Sequence, residues 1–314
     1  MSDKPTRALI AVELEGLAEA ARRIPGVEVI TAYDPASALK HAPEADVLCI
    51  ARAEPDLFRA AKNVRWVHAM MGGVERVLFP ELIESAVPLT CVKQCFGIPG
   101  AQHALASMLA VSSRLIDYWW QRPRRTHDWR LPRELTGKTL GIIGFGNIGS
   151  MLAQLVKPFD MHVIAMARNP RPNPAPADQL LPPNRLPELL AQSDFVVLAI
   201  PLTHQTRGLI GAEQIKMMKP SAWFIDISGR PAIIDQNAII DALGKGVIAG
   251  ADLQFPTAPP ADSPLWTMEN LIMSQWSANS EEEGHRCNEL FAENLRRYRS
   301  NQPLLGLVDK KAGY

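Results

Sequence analysis

The sequence predicts an α/β protein built on parallel sheets with helices on both faces. Two observations carry this. Short apolar runs alternate with helical patterns through the first part of the chain, and a glycine-rich strand–turn–helix signature opens at Lys138. A length of 314 residues gives room for two domains rather than one large core.

The alternation begins with "TRALIAVEL", an Ala/Leu-rich helical stretch ending near Pro25, then "VEVITA" and "ADVLCIA". Strand and helix repeat through "VRWVHAM" and "VPLTCV". Runs this apolar, separated by helices, belong to parallel strands buried on both faces. From Gly100 to Leu115, "GAQHALASMLAVSSRL" places small and apolar residues at helical spacing, so a long buried helix is expected after a break at Pro99. Leu271–Met273 with Ser274 following reads as a short buried strand that opens, through "QW", onto a polar loop.

Composition excludes several classes. Lys plus Arg and Asp plus Glu both number 33, so no global field favours nucleic acid or an anionic membrane. The apolar fraction is 47%, and mean hydropathy is −0.05, as in an ordinary globular protein. The Met1 end lacks a secretory pattern, and no apolar run reaches the roughly 18–20 residues of a membrane span. Cys49, Cys91, Cys95 and Cys287 have neither staple nor zinc-ligand spacing, so no metal is expected and the thiols read as buried or inert. A reduced, cytoplasmic protein follows as the default.

"DYWWQRPRRTHDWRLPRELTGK" is rich in Trp and Arg and broken by prolines. Its arginines read as a solvated connecting arm. Trp119, Trp120 and Trp129 read as anchors of that arm against a neighbour, such as another subunit.

The most specific signal is "KTLGIIGFGNIGSMLAQLVKPF". Leu140–Ile143 form a strand, Gly144, Gly146 and Gly149 make G-x-G-x-x-G, and a helix opening at Asn147 and Ile148 runs through Val156. The first two glycines permit a tight turn and close approach of a pyrophosphate. The third lets helix pack on strand, and the helix start offers N–H groups to the anion. The next strand, "MHVIAMA", ends without the acid that would accept from a ribose 2′-hydroxyl. Arg168 stands there instead and suits a 2′-phosphate, which favours NADP(H) over NAD(H); the alternative is a surface arginine with no role.

With these residues in view, the chain resembles the D-2-hydroxyacid dehydrogenase family over nearly its whole length, nearest the glyoxylate/hydroxypyruvate reductase branch. The resemblance rests on "WVHAMMGGVERVLFPEL", "GAQHALASMLA", "LTGKTLGIIGFGNIGSMLA", "SDFVVLAIPLTHQTRGLIG" and "DSPLWTMENLIM". It implies two Rossmann-like domains with doubly wound parallel sheets, the cofactor domain (99–277) inserted into a flavodoxin-like substrate domain (1–98 plus 278–314), with the substrate in the cleft between them. It also implies a homodimer through the long helix and the Trp/Arg arm. A substrate carboxylate would sit on the N–H groups of Gly72, Gly73 and Val74; the alternative there is a plain tight turn. Pro201 to Thr206 would lie along the cofactor, with Asp226 and Asp252 near the nicotinamide end. His204 reads as an exposed loop residue and His103 as a packed core histidine.

Members of the family use an Arg, a Glu and a His for hydride transfer. Here the Arg motif is altered to "FIDISGRPAIID", so Arg230 falls on the catalytic position or one residue past it, depending on a one-residue gap. Thr257 occupies the Glu position, or Pro259 with a different gap, and Gln275–Trp276 replace Pro-His. Indole donates a hydrogen bond but does not titrate, so Trp276 cannot shuttle a proton. Three readings remain: an NADP(H)-dependent reductase of a small 2-oxo acid or related carbonyl, a redox-neutral or otherwise altered chemistry on the same scaffold, and a non-catalytic NADP(H) sensor. For the first, the proton comes from water, a substrate group or another side chain; His68 is the nearest candidate by sequence, although core or rim packing is the role expected of it.

Overall fold

The computed structural model describes residues 4–170 and 175–314. The chain divides into two compact units, one formed by residues 1–96 with 280–314 and the other by residues 97–279.

In the first unit, β1 (Thr6–Ile10), β2 (Val27–Thr31), β3 (Val47–Ile50), β4 (Trp66–Ala69) and β5 (Leu89–Cys91) form a parallel sheet in the order β2-β1-β3-β4-β5. This is the doubly wound order of flavodoxin-like folds. Strand residues alternate between two cores because successive side chains point to opposite faces. Val47 and Cys49 join Trp66, Phe291 and Leu295 under the terminal helix Glu283–Arg299. Leu48 and Ile50 join Leu57, Val67 and Leu82 on the other face. That double burial is why β3 reads as an unbroken apolar run.

In the second unit, β6 (Thr139–Ile143), β7 (His162–Met166), β8 (Gln179–Leu181), β9 (Phe195–Leu198), β10 (Trp223–Asp226), β11 (Gly250–Gln254) and β12 (Leu271–Ser274) form a parallel sheet in the order β12-β11-β10-β9-β6-β7-β8. The strand order reverses beside β6, between β9 and β7. This is the switch point at which doubly wound sheets bind their ligands. The parallel α/β architecture expected from the sequence therefore holds in both units.

Three local expectations are corrected. The long helix spans Gly97–Ser112, so Pro99 lies inside its first turn instead of preceding it. Proline is tolerated there because a first-turn N–H has no partner within the helix. The Trp/Arg stretch is helical over Leu115–Arg124, and only the residues beyond it form the irregular arm. β12 is an edge strand in which Leu271 alone is fully buried. Among the described residues no helix is long and apolar enough to cross a membrane, and no cluster of His, Cys, Asp and Glu is arranged to hold a metal.

Candidate active site in a dinucleotide-binding unit

The turn after β6 has three glycines with three different constraints. Gly144 takes φ +108°, and a Cβ there would lie 2.5 Å from the Ala199 carbonyl oxygen. A Cβ on Gly149 would lie 2.2 Å from the Gly144 carbonyl oxygen, so the helix Asn147–Leu155 could not pack on its strand. A Cβ on Gly146 would meet no atom within 4 Å. Nothing inside the unit demands glycine at 146, whereas a pyrophosphate approaching the backbone does. Gly146 is the N-cap of the helix and no side chain caps it, which leaves first-turn N–H groups at Asn147 and Ile148 to meet an anion. The turn thus fits a dinucleotide.

Two further loops leave the sheet at the same end. Arg168 is exposed two residues past β7. After β9, the Thr206 hydroxyl donates to the Pro201 carbonyl at 2.7 Å and accepts from the Thr203 N–H at 2.8 Å, closing the Pro201–Thr206 loop on itself. His204 is exposed on that loop, as expected.

The residues that the family resemblance assigns to catalysis lie on the loops after β10, β11 and β12, and two glutamines tie these loops together. Gln254, buried at the end of β11, donates through Nε2 to the Asp226 carbonyl at 3.0 Å and accepts from the Ser277 N–H at 3.4 Å. Gln275 donates to the Pro256 carbonyl at 3.0 Å. The loops carrying Arg230, Thr257 and Trp276 are therefore held to one another at the carboxyl ends of adjacent strands. Thr257 is exposed, Pro259 half-buried, and Trp276 is 42% exposed with φ +49°. Gly229 takes φ +59°, a conformation that disfavours any side chain. The arginine comes next, with its N–H donating to the Ser228 hydroxyl at 3.2 Å and Nη1 to the Gly229 carbonyl at 3.3 Å.

Asp226 and Asp252 are both buried. Asp252 accepts from the Ser274 hydroxyl at 2.7 Å on one oxygen. Its other oxygen meets His103 Nε2 at 2.8 Å and the Ser107 hydroxyl. His103 is thus not simply packed; it joins the long helix to the sheet through a buried carboxylate. Sequence reasoning did not find Gln254 or this network. The available signal was "GADLQ", where two polar residues share one face of an otherwise buried strand.

Burial raises the Asp226 carboxyl to about 6, against two hydrogen bonds from Ser228 that favour the carboxylate; the nearby Asp252 raises it further. A raised carboxyl binds its proton more tightly in the folded chain, so its charged form is a cost above pH 6 that fades as pH falls toward the unfolded value of 3.8. Asp226→Asn keeps an acceptor for both Ser228 bonds and removes the charge. The variant is expected to be more stable than wild type at pH 8, by about 3 kcal/mol at most, with the difference vanishing below pH 4. Urea unfolding at the two pH values measures it; an equal difference at both would contradict the burial account.

In the first unit, Gly72 packs its α-carbon against Phe96, where a Cβ would lie 2.6 Å from the ring. The N–H groups of Gly72, Gly73 and Val74 donate to no main-chain carbonyl among the described residues. His68 takes the packing role expected of it rather than that of proton donor. It is fully buried, stacked on Phe291 with centroids 5.0 Å apart, and bonded through Nδ1 to the Thr90 hydroxyl at 2.7 Å. Burial lowers it to about 3, so it is neutral at physiological pH and does not serve there as an imidazolium acid.

A classic-order dinucleotide unit with an uncapped glycine turn, continued by a flavodoxin-like unit, defines a nucleotide-dependent oxidoreductase. Residues 105–278 match the NAD-binding domain of the D-isomer specific 2-hydroxyacid dehydrogenases. A glyoxylate reductase of Pyrococcus furiosus is 31% identical over 83% of this chain and 80% of its own length. A probable 2-hydroxyacid dehydrogenase from Rhizobium etli, solved with NADP and tartaric acid, superposes with TM-score 0.84 at 22% identity, over 99% of this chain and all of that one. A D-isomer specific 2-hydroxyacid dehydrogenase from Xanthobacter autotrophicus, solved with NADPH, gives TM-score 0.84 at 25% identity with the same coverage. The chain belongs to the D-isomer specific 2-hydroxyacid dehydrogenase family. It is a dehydrogenase or reductase with an NAD(P)-binding domain, and the sensor reading gives way to an enzyme.

Proposed function

We propose that this enzyme uses NADPH to reduce a small 2-oxo acid, such as glyoxylate, in an active site that has lost the family's titrating Glu and His. The observation that carries the reading is the end of β7, where an exposed guanidinium, Arg168, stands in place of a carboxylate. The Pyrococcus relative's name supports glyoxylate, and the Xanthobacter structure's NADPH supports the phosphorylated cofactor. Gly144, Gly146, Asn147, Ile148 and Gly149 hold the pyrophosphate, Arg168 the 2′-phosphate, and Pro201 and Thr206 flank the cofactor. Asp226 and Asp252, both buried, shape the floor at the nicotinamide end. When bound, the nicotinamide supplies the hydride.

The chain's own contribution is positioning. Arg230 clamps the carbonyl and carboxylate, a planar fork suited to a 2-oxo acid. The N–H groups of Gly72, Gly73 and Val74 receive the carboxylate. The Trp276 indole offers one hydrogen bond to the carbonyl oxygen, and Thr257 offers a hydroxyl. With His68 excluded, the proton comes from water or the substrate.

Arg168→Glu is expected to weaken NADPH binding roughly 10- to 100-fold while sparing NADH. Unchanged NADPH affinity in a titration would remove the preference. A second reading, redox-neutral chemistry, is favoured by the same pair Thr257 and Trp276, since neither titrates. It separates from reduction because NADPH absorbance then stays constant while product forms.

The enzyme acts in the cytoplasm as a homodimer joined through the long helix and the Trp/Arg arm. Leu115, Trp119, Trp129 and Leu131 are each more than half exposed, which supports a covered surface there. Sedimentation at micromolar concentration is expected to show a dimer, and Trp119→Glu to shift it toward monomer. A monomeric wild type contradicts this assembly.

A further inference from the structure

All four cysteines are free and buried, yet they are not equivalent. Cys49 lies in the core under the terminal helix, where burial alone pushes its thiol up. Cys95 and Cys287 come from distant parts of the sequence and meet. Cys95 sits in the turn Lys93–Phe96, and Cys287 in the first turns of Glu283–Arg299. Both lie in one small apolar cluster that includes Val92 and Leu290.

The surroundings distinguish the two sulfurs. Arg286 reaches past the pair, donating through Nη2 to the Cys95 carbonyl at 3.3 Å and to the Ser280 hydroxyl at 3.1 Å. Its Nε is buried with no hydrogen-bond partner. The Cys287 sulfur lies 3.9 Å from a Glu283 carboxylate oxygen. The Cys287 S–H, then the Arg286 charge, lower Cys95 despite its burial, whereas hydrogen bonding to Cys95 and burial raise Cys287. A lowered thiol beside a cation, in one small cluster with a second thiol, is the arrangement of an attacking and a resolving cysteine.

We propose that Cys95 and Cys287 are a peroxide-responsive pair that closes to a disulfide. Hydrogen peroxide takes the thiolate of Cys95 to a sulfenic acid with release of hydroxide. The Cys287 thiol then attacks that sulfur, the S–O bond breaks, and water leaves. Two thiols lose two electrons and two protons, and peroxide accepts both. The link ties the chain one residue before Phe96, where it leaves this unit, to the helix that follows its return at Ser280. It thereby fastens both ends of the unit's two segments to each other.

Thiols counted after peroxide treatment and acid denaturation test this on the whole chain. Wild type is expected to fall from four thiols to two, to lose two hydrogens in intact mass, and to yield a tryptic peptide pair joined through Cys95 and Cys287. Cys287→Ser is expected to lose one thiol only and to be trapped by dimedone at Cys95. Cys95→Ser is expected to keep its three remaining thiols. Four thiols in treated wild type overturn the proposal, as does a link through Cys49 or Cys91, or a lasting sulfenic acid at Cys95 with Cys287 present. The wild-type result decides the matter even where a serine variant folds poorly.

Discussion

Gly146→Ala is expected to melt like the wild type and to bind NADPH at least about 100-fold more weakly, a loss of roughly 3 kcal/mol. Gly149→Ala is expected to do the reverse in order of cause: it destabilises the unit first, by about 1–3 kcal/mol or more, and loses the cofactor as a consequence. The contrast comes from what a methyl group would meet. At 146 there is open space within the unit, so the only thing displaced is an approaching phosphate. At 149 a Cβ would sit 2.2 Å from a backbone oxygen that cannot step aside. Thermal melting and NADPH titration of the two variants give the answer. Equal binding by Gly146→Ala and wild type would show that the turn does not hold the pyrophosphate.

The Trp276→His, Thr257→Glu double variant is expected to reduce glyoxylate about 100-fold or more faster than wild type, the lower range of what a positioned acid–base pair contributes. Neither change disturbs a core. Thr257 is exposed, and Trp276 is 42% exposed. The left-handed backbone at 276, φ +49°, suits histidine better than it suits tryptophan. Gln254 and Gln275 remain to hold the loops together. Each single variant is expected to gain little, because an imidazole without its carboxylate lacks the orienting partner. Turnover at the wild-type level in the double variant would mean that residues 257 and 276 are not the acid and base positions. A fast wild type would mean that reduction proceeds with water as the acid.

Much of the candidate site was read from spacing. The G-x-G-x-x-G turn is a local device, and its requirements are set by residues a few positions apart. The end of β7 is equally local, so the missing acid and Arg168 could be read directly. The reading failed where a role depends on partners far along the chain. Packing was expected of His68, but that Phe291 and Thr90 enclose it could not be read from its neighbours in sequence. His103 looked like packing because nothing nearby in sequence announces Asp252. Gln254 was invisible because its partners, Asp226 and Ser277, lie 28 and 23 residues away.

By itself the sequence determined the α/β class and the phosphate turn, which follow from periodicity and from glycines whose constraints are local. The two doubly wound units, and the positions proposed to have lost Glu and His, were implied by resemblance to the family. Tertiary structure alone decided which titratable groups are available. It buried His68 in an aromatic core, set Asp252 among His103, Ser107 and Ser274, and brought Cys95 and Cys287 into one cluster. Protonation and reactivity depend on solvent and neighbouring charge, and both are fixed only when distant segments pack.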